Sequence, residues 1–277
     1  MTAPAEEEPP SPEIPVVDKS EFFFPGEGVS ALLVHGLSGT PYEMRWLGEQ
    51  LAGAGIRVRG VRLNGHAGSP EDLGGSTYDN WYESVVQGLE DLRHYGDPNV
   101  VVGLSAGAVL AARLAVDQGE AIAGVAMLAP AFFLSWTATI TLGAVRKLGS
   151  LANHLYLHND SGSDIHDAAA RGIHPTMRLL PLSAPINLLD LSKMVRRRLE
   201  RVTQPALVIY SRQDHTCPME RNRSFVTRHL GTAEHREVVL EESYHVITVD
   251  NEKQQVAAEV RSFVEQFRVQ SKRRAFG

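Results

Sequence analysis

Gly103-Leu104-Ser105-Ala106-Gly107 follows the apolar run Val100-Val101-Val102 and leads into a stretch of small residues, Ala108–Ala115. A strand, a glycine-flanked serine and a helix in that order form a nucleophile elbow: the sharp turn lifts the hydroxyl above the sheet, and the glycines avoid collisions within it. The new helix points its first amides at any negative charge that develops there. A serine hydroxyl is a poor nucleophile without a base. In this architecture the acid and then the histidine follow later in the chain. Asp214 stands just beyond the apolar run Ala206–Ser211, and His245 follows the run ending at Val238-Val239-Leu240. The pattern therefore predicts Ser105 as nucleophile, His245 as base, and Asp214 as the carboxylate that holds the imidazole tautomer and stabilises the imidazolium. His215 competes for the role of base, but it adjoins Asp214, which hinders it from reaching round to the serine. Asp190 competes for the role of acid. Val34-His35-Gly36-Leu37 follows an early apolar run. That loop supplies one oxyanion donor and the residue after the nucleophile supplies the other, which makes the backbone N–H groups of Leu37 and Ala106 the expected pair. His35 itself is expected to support the loop.

These loops need a scaffold that brings strand ends together. Apolar runs at Val29–Val34, Ile56–Leu63, Asn99–Leu104, Ala121–Leu128, Ala206–Ser211 and Arg236–Leu240 read as strands. Helical spacing appears at Glu43–Ala54, Tyr78–Tyr95, Ala106–Asp117 and about Asn251–Phe267. Glu21–Phe24 reads as a further short strand. Strands alternating with helices imply right-handed crossovers and a mostly parallel sheet flanked by helices, an α/β protein. The alternation fails between about Ala131 and Thr203. A structureless loop of that length is improbable inside a compact domain, so an inserted helical cap over the strand ends is predicted. The expected organisation is a disordered acidic, proline-rich tail at 1–20, a core of 21–130 and 204–270, a cap at 131–203, and a basic tail at 271–277.

The chain has 277 residues, 43% of them hydrophobic, and a formal net charge of −6. That is enough to bury a large core, and the acidic balance gives no general case for nucleic acid, which needs a basic face. The first ten residues lack the basic start and apolar run of a secretory signal. Cys217 is the only cysteine, so no intrachain disulfide forms, and a reducing, cytoplasmic location is the simpler reading. Ala121–Val145 carries no charge and is long enough to cross a bilayer, but it contains Gly124, Pro130 and Gly143. It reads as a buried strand running into the cap, without stable membrane insertion. Phe132, Phe133 and Trp136 stand where the cap begins, and they are expected either to pack in the core or to wall an acyl pocket. His154, His158, Asp160, Asp164, His166 and Asp167 crowd one stretch, but a serine mechanism needs no metal, and none is expected. Arg196, Arg197, Arg198 and Arg201 read as a solvated face.

Several of these segments resemble one known group. Leu32-Leu33-Val34-His35-Gly36-Leu37-Ser38-Gly39-Thr40-Pro41 is similar to the oxyanion segment of the bacterial carboxylesterases and monoacylglycerol lipases of the α/β-hydrolase superfamily. Leu63–Leu73 is similar to that group's Gly-His-Gly loop, with Ala67 in place of the second glycine. Asp79-Asn80-Trp81 and Ser243–Asp250 resemble its Asp-Trp helix start and its histidine loop. The resemblance runs from about Ala31 to Phe267 and is weakest through the cap. It implies the α/β-hydrolase fold, the triad Ser105, Asp214 and His245, oxyanion donors at Leu37 and Ala106, no cofactor, and a small-molecule ester or lipid as substrate. The expected reaction is hydrolysis of short- to medium-chain esters or monoacylglycerols. The same triad used on amide, thioester or carbon–carbon bonds, or a non-catalytic ligand receptor, stays open.

Overall fold

The apolar runs become the middle of a seven-stranded sheet. The computed structural model describes residues 17–149 and 154–275, and side chains as far as 268; the expectation for residues 1–16 lies outside the described residues. The sheet contains β1 (Phe22–Phe24), β2 (Ser30–Val34), β3 (Arg57–Val61), β4 (Asn99–Leu104), β5 (Gly124–Leu128), β8 (Ala206–Ser211) and β9 (His235–Leu240). Their spatial order is β1-β3-β2-β4-β5-β8-β9. Only β1 runs antiparallel to its neighbour. β2, β4, β5 and β8 are buried along their whole length, because helices cover both faces, and that is why they read as unbroken apolar runs.

Alternate residues of each strand feed two separate cores. Leu32, Val101, Met127 and Val208 face one core, shared with α3 (Tyr78–Arg93), α4 (Ala106–Gln118) and α7 (Ser183–Arg196). Leu33, Val102, Ala126 and Leu207 face the other, shared with α1 (Tyr42–Gly53) and α9 (Lys253–Ala275). α4 is the most deeply buried helix among those described. Its alanines keep it close against β4 and β5, so the elbow that begins it sits on a fixed base.

The interruption between β5 and β8 is occupied by α5 (Trp136–Arg146), an antiparallel pair of β6 (Tyr156–His158) and β7 (Leu179–Pro181), the α6 helix (Ala168–Ile173) between them, and α7. α7 begins at Ser183 and tolerates Pro185 because that residue falls in its first turn, where a missing N–H breaks no helical bond. α2 (Pro70–Gly75) and α8 (Met219–His229) were not anticipated. α9 runs to Ala275, so the expected tail from 271 is helical through that residue. The uncharged stretch at 121–145 is divided between β5 and α5, and among the described residues no helix is long and apolar enough to cross a membrane.

Candidate active site

Ser105 lies at the junction of β4 and α4 with φ +57° and ψ −114°. That conformation is unfavourable for any residue with a Cβ. It is held by main-chain bonds from the Ser105 N–H to the Leu128 carbonyl (2.8 Å) and from the Ala108 N–H to the Ser105 carbonyl (3.1 Å). The flanking glycines are required sterically. A Cβ on Gly103 would overlap the Gly107 carbonyl, and one on Gly107 would overlap the Val34 carbonyl. The elbow thus closes only with glycine on both sides.

The turn aims the Ser105 hydroxyl at His245. His245 Nε2 lies 2.7 Å from Ser105 Oγ, and His245 Nδ1 lies 2.7 Å from Asp214 Oδ2. A carboxylate only accepts, so Nδ1 carries the proton and Nε2 is left to accept from the hydroxyl. Asp214 Oδ1 accepts the backbone N–H groups of Thr216 (2.9 Å) and Cys217 (2.6 Å), which fixes the carboxylate plane. All three side chains are nearly inaccessible to solvent. Burial disfavours the imidazolium, but Asp214 outweighs it, with smaller contributions from Asp164 and Glu43, and the His245 pKa stands above its ordinary value.

The loop after β2 approaches from the other side of Ser105. A Cβ on Gly36 would stand 3.3 Å from that of Ser105. The Gly36 N–H is held by the buried Glu43 carboxylate (3.1 Å). Among the described residues neither the Leu37 nor the Ala106 N–H donates within the protein. His35 supports this loop: Nδ1 donates to the Gly36 carbonyl (2.9 Å) and Nε2 accepts the Leu63 N–H (3.2 Å). Burial lowers its pKa and keeps it neutral, as that pair of bonds requires. Glu43 Oε1 lies 3.3 Å from Nε2 of His174, which comes from the segment between β5 and β8. Burial opposes the Glu43 charge, yet His174 and the Gly36 amide together hold its pKa below the ordinary carboxylate value.

A cavity of about 500 Å³ opens over Ser105. Its apolar wall is Leu134, Leu157, Leu180, Pro185 and Leu188, and its polar side includes Ser161, Asp164, Arg171 and His215. Phe132, Phe133 and Trp136 do not line it. Phe132 and Phe133 turn away to pack on Phe225 of α8 (ring centroids 5.7 and 5.3 Å). Asn222 grips the Phe133 backbone at both N–H and carbonyl (2.9 Å each). Trp136 is 68% exposed on α5. The pocket wall at that point is Leu134, the residue between them.

The competing candidates are placed elsewhere. The His215 ring engages Asp164 (2.8 Å) rather than Ser105, and Asp190 pairs with Arg146 (2.6 Å). Asp167 caps α6, and His166 donates its N–H to Asp250. In the basic run, Arg198 pairs with Asp117 (2.6 Å), and Arg196 covers the Phe133 ring at 4.2 Å. Cys217 lies close enough to Asp214 and His245 for the three to form a ligand cluster. Burial, then Asp214 and Asp164, push its thiol pKa far up, and a metal needs the thiolate. Asp164, Glu43 and His174 were not identified from the sequence as parts of the site.

Residues 29–253, a span that contains Ser105, Asp214 and His245, match the family described as serine aminopeptidase, S33. The chain is 32% identical over 241 residues to a thermostable monoacylglycerol lipase of Bacillus sp. (strain H-257), covering 87% of this chain and 92% of that protein. It is 26% identical over 251 residues to a carboxylesterase of Bacillus subtilis (strain 168), covering 90% and 98%. Among solved structures, one described with the metagenome-derived lipolytic enzymes LipS and LipT superposes with a TM-score of 0.82 at 29% identity, over 90% of this chain and 98% of that one. The fold and these matches agree, and the chain belongs to the serine aminopeptidase, S33, family of serine hydrolases with the α/β-hydrolase fold.

Proposed function

We propose that this protein hydrolyses carboxylic esters through a Ser105–His245–Asp214 triad and an acyl-enzyme. The carrying observation is the imidazole of His245 set 2.7 Å from both the Ser105 hydroxyl and the Asp214 carboxylate. Ser105 Oγ attacks the ester carbonyl while Nε2 takes its proton. The carbonyl oxygen becomes an oxyanion, received by the N–H groups of Leu37 and Ala106; losing one such donor typically costs about 3 kcal/mol of transition-state stabilisation. The imidazolium returns its proton to the departing alcohol, and a water activated by His245 then releases the acid. Every proton moves through Nε2, so no cofactor or metal is required.

The apolar wall of the cavity and its size favour short- to medium-chain acyl esters or monoacylglycerols. The related Bacillus proteins, a monoacylglycerol lipase and a carboxylesterase, support the same class. The segment 131–203 serves as the cap that supplies this wall. The single buried cysteine suits action in the reducing cytoplasm.

Ser105→Ala tests the reading. It should lower p-nitrophenyl butyrate turnover roughly 10⁶-fold, the scale seen when a triad serine is removed, while circular dichroism stays unchanged. Near-normal turnover by that variant sinks the assignment. A fluorophosphonate probe should label the wild-type serine; an unlabelled protein points to a receptor. A panel of p-nitrophenyl esters, a monoacylglycerol and an aminoacyl anilide then sizes the pocket and separates ester from amide chemistry.

A further inference from the structure

The segment between β5 and β8 returns to the sheet at Ser163–Asp167 and there touches both loops of the triad. Its Asp164 is the residue that the two loops share. The Asp164 backbone carbonyl accepts the N–H groups of His245 (3.0 Å) and Val246 (3.1 Å). Its carboxylate accepts from the other loop: Oδ2 from the His215 N–H (3.0 Å) and the Thr216 hydroxyl (3.2 Å), and Oδ1 from His215 Nδ1 (2.8 Å). Thr216 in turn donates its N–H to Asp214 (2.9 Å). One aspartate thus links the acid of the triad to its base through the backbone on one side and through its carboxylate on the other. The anchorage is reinforced two residues on. Asp250 accepts the N–H groups of His166, Asp167 and Tyr244, each at 2.8 Å. The His166 ring stacks on Tyr244 with centroids 4.5 Å apart and planes within 4°. The insert is therefore bolted to the histidine loop, and Asp164 sits at the end of that bolt.

We propose that Asp164 is a positioning residue for the triad, which from the insert sets the spacing of the Asp214 and His245 loops and keeps a second carboxylate beside the base. The inference rests on the triad reading above. The charged and titratable groups that face His245 are Asp214 from the loop after β8, Asp164 from the insert and Glu43 from α1, with His215 and Cys217 beside them. The imidazolium that forms as Ser105 attacks is held by the nearby negative charges, and Asp164 ranks after Asp214 among them. A purely architectural aspartate would contribute bonds but would not bias the proton on His245.

The test is Asp164→Asn, which keeps the shape of the side chain and removes its charge. Its kcat for p-nitrophenyl butyrate should fall roughly tenfold, the rate effect of removing one nearby charge that favours the imidazolium. KM should change less than about twofold. The acid limb of kcat/KM should move to lower pH, because one of the charges favouring protonated His245 is gone. Asp164→Glu, which restores the charge, should return the limb to its wild-type position. Thr216→Val, a milder cut through the same junction, should lower kcat about threefold, half the free energy of the tenfold loss, and keeps the idea testable if Asp164→Asn does not fold. An unshifted limb in Asp164→Asn, or a loss expressed only in KM or in melting temperature, overturns the proposal. Wild-type labelling by a fluorophosphonate separates the two readings. A labelled, active wild type with a silent Asp164→Asn removes only this inference, whereas an unlabelled wild type removes the triad as well.

Discussion

Ser105 holds backbone angles that the same chain assigns elsewhere to glycine. Gly119, in the turn before β5, has φ +48° and ψ −111°, against +57° and −114° at Ser105. Keeping a Cβ in such a region costs on the order of 1–3 kcal/mol. Exchanging it for glycine relieves that strain but gives the unfolded chain extra freedom worth about 0.5–1 kcal/mol. The net expectation is that Ser105→Gly is more stable than Ser105→Ala by about 1 kcal/mol. Both variants lack the hydroxyl, so its hydrogen bond with His245 drops out of the comparison. The main-chain bonds from Ser105 to Leu128 and Ala108 survive in both. For 277 residues, unfolding entropy is about 0.6 kcal/mol/K, so the difference in Tm is about 2 °C. Scanning calorimetry of the two inactive variants reads this directly. If Ser105→Ala melts at or above Ser105→Gly, the elbow is not strained and the reasoning fails.

Three further outcomes follow from other parts of the molecule. In the proposed mechanism His245 must be neutral to accept the Ser105 proton, and its pKa is raised, so kcat/KM should fall as pH drops, with a midpoint above the ordinary histidine value of about 6.5; a midpoint below that value contradicts the Asp214 pairing. Burial lowers the pKa of His66 to about 3. The unfolded chain therefore takes up a proton near pH 6.5 that the folded chain refuses, and stability is lost as pH falls from there, by about 2 kcal/mol between pH 7 and pH 5. His66→Phe should lose correspondingly less over that interval in urea titrations, and equal losses in variant and wild type would refute it. Ala67 has φ +63°, so Ala67→Gly should gain about 0.5–1 kcal/mol and raise Tm by one or two degrees; an unchanged or lowered Tm counts against strain there.

The parts of the fold legible in the sequence are those whose burial leaves a one-dimensional trace. β2, β4, β5 and β8 are covered on both faces and read as apolar runs. The elbow is legible because sterics dictate its glycines one by one. α8 escaped because only Met219, Asn222 and Val226 are buried along it, and its charged remainder reads as loop. The choice between core and pocket for Phe132 and Phe133 turned on the same helix, since they pack on the Phe225 that α8 supplies. Ala67 departs from the glycine of the related loop in residue type but keeps the positive φ that a glycine would supply. Asp164 and Glu43 were illegible for a different reason. Each is an ordinary acidic residue whose role depends on a partner distant along the chain, His215 for Asp164 and His174 for Glu43, and no local spacing encodes such a meeting; Asp164 instead drew notice only as part of a His/Asp-rich stretch.

The distribution of backbone strain gives the site an independent physical mark. Each of β2, β3, β4 and β5 is preceded by a glycine with positive φ, at Gly28, Gly55, Gly96 and Gly119 respectively. There the chain turns without strain, because nothing at that end of the sheet requires a side chain. The same four strands are followed by non-glycine residues with positive φ: Ser38, Ala67, Ser105 and Ala129. Ser38 lines the cavity beside the Leu37 amide, Ser105 is its floor, and Ala129 ends the strand that accepts the Ser105 N–H. Random tolerance of strain would scatter such residues over both edges. Their confinement to the carboxyl edge of the sheet, where ligands enter open α/β sheets, fits strained turns retained for placement of reacting groups. Glycine at Ser38 or Ala67 should therefore stabilise the fold, whereas alanine at Gly96 or Gly119, where only the backbone angle demands glycine, should destabilise it by about 1 kcal/mol or more. A destabilised Ser38→Gly or Ala67→Gly variant, measured by its Tm, would show that those turns are not strained.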